Sequence, residues 1–292
     1  MAHRERRIVN ALITGLLIAP GLSQAGGLEP MSDSEMGDVT GQSMLGVDVA
    51  ETEDADFTRY TIGMESEMQM NMREMALGED ADGAAADVGI NHLSLGHIAR
   101  EDGVQFDGQE YDANDIVPFV GMDPYFEMAQ SGDDVVGFRL GFTEARGTLS
   151  GDISTLTGRL GMEVVDDEGD VHDGQLLQED GSADNQRATH FGLEDADGCG
   201  ATCVALNTMQ TLEVGERDDD GNADFTNDFF ISFQQEGMEW QSPGSGGEET
   251  VSTDAGVFFN IPTAMQVDLQ QLQDNGLERS RTEYIDRDMG LF

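Results

Sequence analysis

Val136-Gly137-Phe138-Arg139-Leu140-Gly141-Phe142 decides the fold class. Apolar side chains stand at every second position, so an extended strand would carry Val136, Phe138, Leu140 and Phe142 on one face. A helix would scatter the same residues around its axis. The period of two recurs outward from here. Leu160, Met162 and Val164 repeat it, as do Phe229, Ile231 and Phe233, then Phe259 and Ile261 followed by Val267 and Leu269. Ile62, Met64, Met68, Met70 and Met72 read as one further extended face, interrupted at Ser66. Only residues 264–272 leave strand and helix both open. Short strands parted by Gly/Asp loops predict an all-β domain, either an antiparallel sandwich or an irregular β-rich fold.

A weak internal repeat adds an alternative. Met72-Arg73-Glu74-Met75-Ala76-Leu77-Gly78-Glu79 resembles Met209-Gln210-Thr211-Leu212-Glu213-Val214-Gly215-Glu216. Ile90-Asn91-His92-Leu93-Ser94-Leu95-Gly96 shares its apolar-x-x-apolar-x-apolar-Gly pattern. Strand-plus-glycine units suit a sandwich, or a β-solenoid in which each unit buries its face on the next.

Charge bounds the partners. The 292 residues hold 59 Asp+Glu against 14 Lys+Arg, a net charge of −45, and every one of those cations is arginine. A surface so poor in cations cannot displace phosphate counterions, which excludes nucleic acid, and anionic membrane surfaces are disfavoured for the same reason. The acids concentrate in turns and at alternate strand positions, leaving coherent apolar faces. Such acidity reads as halophilic adaptation to a salty exterior, where screening is strong.

The N-terminus predicts export. Arg4, Arg6 and Arg7 precede an apolar run over residues 8–19, Pro20 and Gly21 break it, and Ser23-Gln24-Ala25 supplies small residues for cleavage. Residues 1–25 are therefore expected to be a signal peptide, its apolar run too short to span a bilayer. No second hydrophobic segment follows, so the mature chain is expected to lack a transmembrane helix and to reach the periplasm, the outer-membrane surface or the medium. Residues 26–46 form a short N-terminal element and residues 47–292 a single acidic, Gly-rich β domain. Cys199 and Cys203 are the only cysteines, and an oxidising compartment favours a local disulfide between them.

Within the N-terminal element, Ser32 and Glu35 fit a capping box and Gly41 a stop, predicting a short helical turn near residues 32–40. Leu28, Met31, Asp33, Met36, Asp38, Val39, Thr40, Gly41 and Gln42 resemble the mature N-terminus of a poorly characterised family of gammaproteobacterial exported envelope proteins. Its members follow a signal peptide with a D-V-T-G-Q type element and an acidic, Gly-rich β region. Some carry a pilus-system or filament-associated label. The resemblance implies an envelope protein that assembles with itself or with other envelope or filament proteins. It transfers no catalytic residue.

Candidate chemistry is sparse. Asp218, Asp220, Asn222 and Asp224 place oxygen ligands at alternate positions around Gly221, as loops that wrap Ca²⁺ do, although Phe229 stands where an EF-hand needs a bidentate Glu. A solvated acidic turn is the other reading of the same residues, and in a chain this rich in acids alternate carboxylates also arise by chance. Met64, Met68, Met70, Met72 and Met75 offer thioethers suited to Cu(I), or a buried strand face. His92 and His97 are five residues apart and fall on opposite faces of a strand. Neither a G-x-S-x-G elbow nor a phosphate loop occurs. The expectation is a non-catalytic structural or envelope-assembly protein without a cofactor, the alternatives being a calcium-binding module and an outer-membrane β-barrel. The barrel requires aromatic girdles that one Trp and four Tyr hardly furnish.

Overall fold

In the computed structural model, residues 136–142 lie within one strand of 23 residues, Asp134–Leu156. The structure describes residues 45–52, 55–79, 85–195, 198–218, 223–244 and 249–283. The described residues all belong to the second of two units, Gln42–Phe292. The expected signal peptide and the helical turn near residues 32–40 lie outside the described residues.

The second unit is all-β. Five strands come first, β1 (Leu45–Glu51), β2 (Asp56–Ile62), β3 (Glu65–Met68), β4 (Met70–Leu77) and β5 (Val88–Leu95). The long hairpin β6 (Phe119–Ser131) and β7 (Asp134–Leu156) follows, then β8 (Gly158–Val165) and β9 (Val171–Asp173). The last strands are β10 (Thr211–Val214), β11 (Phe230–Gln234), β12 (Met238–Gln241), β13 (Thr250–Thr253) and β14 (Gly256–Asp268). Helical structure among the described residues is a 3-10 turn, Leu206–Thr208, and the helix α1 (Leu269–Asn275). Residues 264–272, open in the sequence, are strand to Asp268 and helix from Leu269. Asp268 caps that helix by accepting from the Gln271 amide.

β7 serves two sheet regions because it is so long. Its first part pairs with β6 on one side and β11 on the other, and its last part pairs with β5 and β10. β14 closes the arrangement by pairing antiparallel with β11 and parallel with β8. Beyond β6 the sheet runs out through β2 to β1, which pairs with β2 alone among the described strands.

Two apolar layers lie on opposite faces of the β6–β7–β11–β14 region. The larger holds Ile90, Leu93, Phe119, Leu149, Ile153, Leu160, Met162, Val164, Leu212, Phe259 and Ile261. The smaller holds Phe57, Ala129, Phe230, Trp240, Val251 and Phe258, with the β12–β13 hairpin as its lid. Alternation along β14 sorts the residues, Val257 and Phe259 to the first layer and Phe258 to the second. The result is a sandwich built around a shared middle sheet.

Two expectations need correction. Ile62, Met64, Met68, Met70 and Met72 do not share one face, since they span β2, β3 and β4. β2 pairs with the far part of β6, β3 with its beginning, and β4 with β5, so the run is interrupted between β2 and β3 and changes partner strand at β4. Met64, Met70 and Met72 are exposed, while Met68 and Met75 pack on the larger core. Val136 also leaves the face of Phe138, because a bulge opposite Ala129 and Gln130 turns it toward the smaller core. The repeat-like units each end on a glycine with positive φ, Gly78, Gly96 and Gly215. They do not stack as coils, since β4 and β5 pair with each other while β10 lies against β7.

Candidate functional site

Strand register gives the two sides of the outer sheet opposite chemistry. Residues directly paired across strands point to the same side. One row runs Asp48, Arg59, Glu127, Arg139, Ser232 and Phe258 across β1, β2, β6, β7, β11 and β14. It faces the smaller core, and Arg139 and Glu127 are buried there.

Burying charge is costly unless it is paired and hydrogen-bonded. Arg59 Nη2 lies 3.2 Å from Glu127 Oε1, and Arg139 Nε donates to Glu127 Oε2. The Gln241 carbonyl accepts from Arg139 and, at 2.7 Å, from Arg59. The Tyr125, Phe230 and Trp240 rings stand 5.3, 4.9 and 5.1 Å from the Arg139 guanidinium carbon. Burial pushes the Tyr125 hydroxyl up to about 12, with the two arginines pulling it the other way. This cluster ties the β12–β13 hairpin to the sheet and is closed to solvent.

The opposite side is apolar and open. Val47, Tyr60, Phe126, Leu140 and Ile231 form one row, and Val49, Thr58, Met128, Phe138 and Phe233 the next. Near β11 these rows pack on the larger core, where Phe138 stacks on Phe233 at 4.7 Å. Toward β1 nothing described covers them. Val47 is 54 % exposed, Val49 67 %, Tyr60 37 %, Phe126 36 % and Leu140 45 %. Isolated exposed apolar residues are ordinary, but these form a register-continuous row across four strands.

A separate cleft of about 1110 Å³ lies beside β8, β13 and β14. Gly161, Pro262 and Ala264 line it, as do Arg159 and Asn260 from paired positions. Asn260 donates to the Asp228 carbonyl at 2.6 Å, which leaves its Oδ1 without a partner. Among the described residues no His or Cys lines the cleft.

The sequence-level candidates fall in different places. Asp218 and Asp224 flank the turn of a short hairpin, Glu216–Arg217 against Ala223–Asp224, and Asp224 accepts from the Phe225 amide at 2.8 Å. Asp220 and Asn222 lie outside the described residues. Among the described residues no three His, Cys, Asp or Glu side chains converge as a metal site. Cys199 and Cys203 stand at disulfide distance, with Cα atoms 5.2 Å apart.

His92 is exposed and His97 buried, so the two share no site. His97 Nε2 donates to Gln105 Oε1 at 3.2 Å, and Nδ1 accepts from the Thr148 hydroxyl at 3.0 Å. Burial holds its pKa below the usual range. The Arg59–Glu127–Arg139 cluster has no local motif to reveal it. The alternation Leu45, Val47, Val49, by contrast, is visible to a period-two scan extended to the start of the domain. No helix among the described residues is long and apolar enough to cross a membrane. No family model, curated protein or solved structure matches the chain.

Proposed function

We propose that this chain is an exported, non-catalytic assembly protein of the cell exterior, built into an envelope or filament structure through its outer sheet edge. The observation that carries the reading is β1. Its seven residues pair in unbroken register with β2, and its Val47 and Val49 side chains stand exposed on the open face. Long regular edges are usually blunted with lysine, proline or a bulge, because they template pairing with another chain. β1 has none of these. Its one central charge, Asp48, lies on the other face. The N-terminal resemblance to exported envelope proteins and the sequence signature of a signal peptide agree with this role. β-Augmentation would supply the contact, with main-chain hydrogen bonds giving affinity and alternate side chains giving selectivity.

Fractionation of cells producing the full chain tests the reading. Wild-type protein is expected in a high-mass envelope or surface fraction, and the Val47→Glu/Val49→Glu double variant in the soluble fraction with its melting temperature little changed. Recovery of the wild type only as a soluble periplasmic monomer would overturn the proposal.

A further inference from the structure

From the chemistry of the open face we infer the kind of partner it takes: an extended segment of another protein, with apolar side chains at alternate positions and arginine or lysine among them. The inference rests on the assembly role proposed above and adds the identity of the occupant. Three features lead to it. The outer backbone edge of β1 pairs with no described strand over residues 46–51 and is a regular template there. Its open face carries Val47 and Val49, continued inward by Tyr60, Phe126 and Leu140 in matched register. A strand added beside β1 would thus bury its alternate side chains against valines already in line with a hydrophobic surface.

Charge then chooses among possible strands. The row beyond Val49 is Glu51, Asp56 and Gln130, so two paired carboxylates close one end of the apolar face. Both are exposed, and neither has a cationic partner among the described residues. A cation on the incoming strand would meet them. A second copy of this chain is a poor occupant. It brings the same −45 charge and no lysine, and antiparallel pairing of β1 with β1 that aligns Val47 with Val49 sets Asp48 against Asp48, a destabilising arrangement.

The test measures binding of two fluorescent peptides of identical composition by anisotropy at physiological salt, using the full chain. One, the alternating peptide, carries valines at successive alternate positions and arginine or lysine at the next positions of the same parity, with serine and threonine between them, and the other scrambles the same residues. The alternating peptide is expected to bind at least tenfold more tightly. Val49→Glu is the discriminating variant, since it adds negative charge while removing an apolar contact. Strand addition predicts weaker binding of the alternating peptide to Val49→Glu, whereas charge attraction alone predicts stronger binding. Equal affinity for both peptides, or tighter binding to Val49→Glu, would overturn the inference. So would a concentration-dependent homodimer, seen by sedimentation, that the alternating peptide fails to dissociate. If the peptides fail while the β1 double variant still releases the protein from cells, the assembly role stands and the partner chemistry falls.

Discussion

Glu127 sits between two guanidinium groups, and its removal would leave both arginines buried without an anion. Breaking a buried pair from one side typically costs about 3–5 kcal/mol, because the remaining charge has lost its compensation. Glu127→Gln is therefore expected to lower the unfolding free energy by about that much, measured by urea titration. A loss under about 1 kcal/mol would show that water reaches the cluster, as it does at exposed pairs. Nothing local in the sequence announces this cluster. Arg139 stands between Phe138 and Leu140 in an alternating strand, so the pattern assigns it to a solvated face. It is fully buried because Trp240 and the Gln241 carbonyl, about a hundred residues further along the chain, come back to cover that face. Alternation identifies the two faces of a strand but not whether the second one is covered.

At the scale of elements, β8 and β14 run parallel, with Gly158 paired to Phe259. A Cβ built on Gly158 would lie 2.0 Å from the Phe259 carbonyl oxygen, a backbone atom that cannot swing aside. Gly158→Ala should therefore separate the strands and cost at least the 1–3 kcal/mol typical of overpacking. In a domain of this size each kcal/mol lowers the melting temperature by about 2–4 °C. Gly200→Ala is the matching control, since nothing lies within 4 Å of the Cβ position there. A melting temperature for Gly158→Ala equal to that control would contradict the pairing. The strands β7, β8, β11 and β14 are legible in the sequence because each buries at least one regular apolar face. Their parallel and antiparallel partners are not, since pairing is settled by residues far apart in the chain. The methionine run misleads for the same reason. Met64, Met70 and Met72 keep the spacing of a buried face, yet Met64 lies between β2 and β3, and after Met68 the chain leaves β6 to pair with β5. The calcium reading of Asp218 and Asp224 rests on sequence spacing alone, and in so acidic a chain alternate carboxylates carry little information.

For the whole molecule, the net charge of −45 sets an opposition between folding and the proposed assembly. Self-repulsion destabilises the compact state. Among exposed charges it fades as the screening length falls from about 10 Å at 0.1 M salt to about 3 Å at 1 M. The same screening weakens attraction to a cationic partner, while contact with Val47, Val49 and Tyr60 survives because apolar burial does not depend on charge. The melting temperature is therefore expected to climb with NaCl and to level off near ~1 M, where screening is almost complete. Scanning calorimetry with NaCl and CsCl at matched ionic strength isolates this from ion-specific effects, and the two curves should coincide. A protein more stable at low than at high salt would contradict the reading of its acidity as adaptation to a salty exterior. Partner affinity should decline over the same range and then hold at a floor set by the apolar rows. That floor would show that the sheet face, and not the charge around it, holds the assembly together where salt is high.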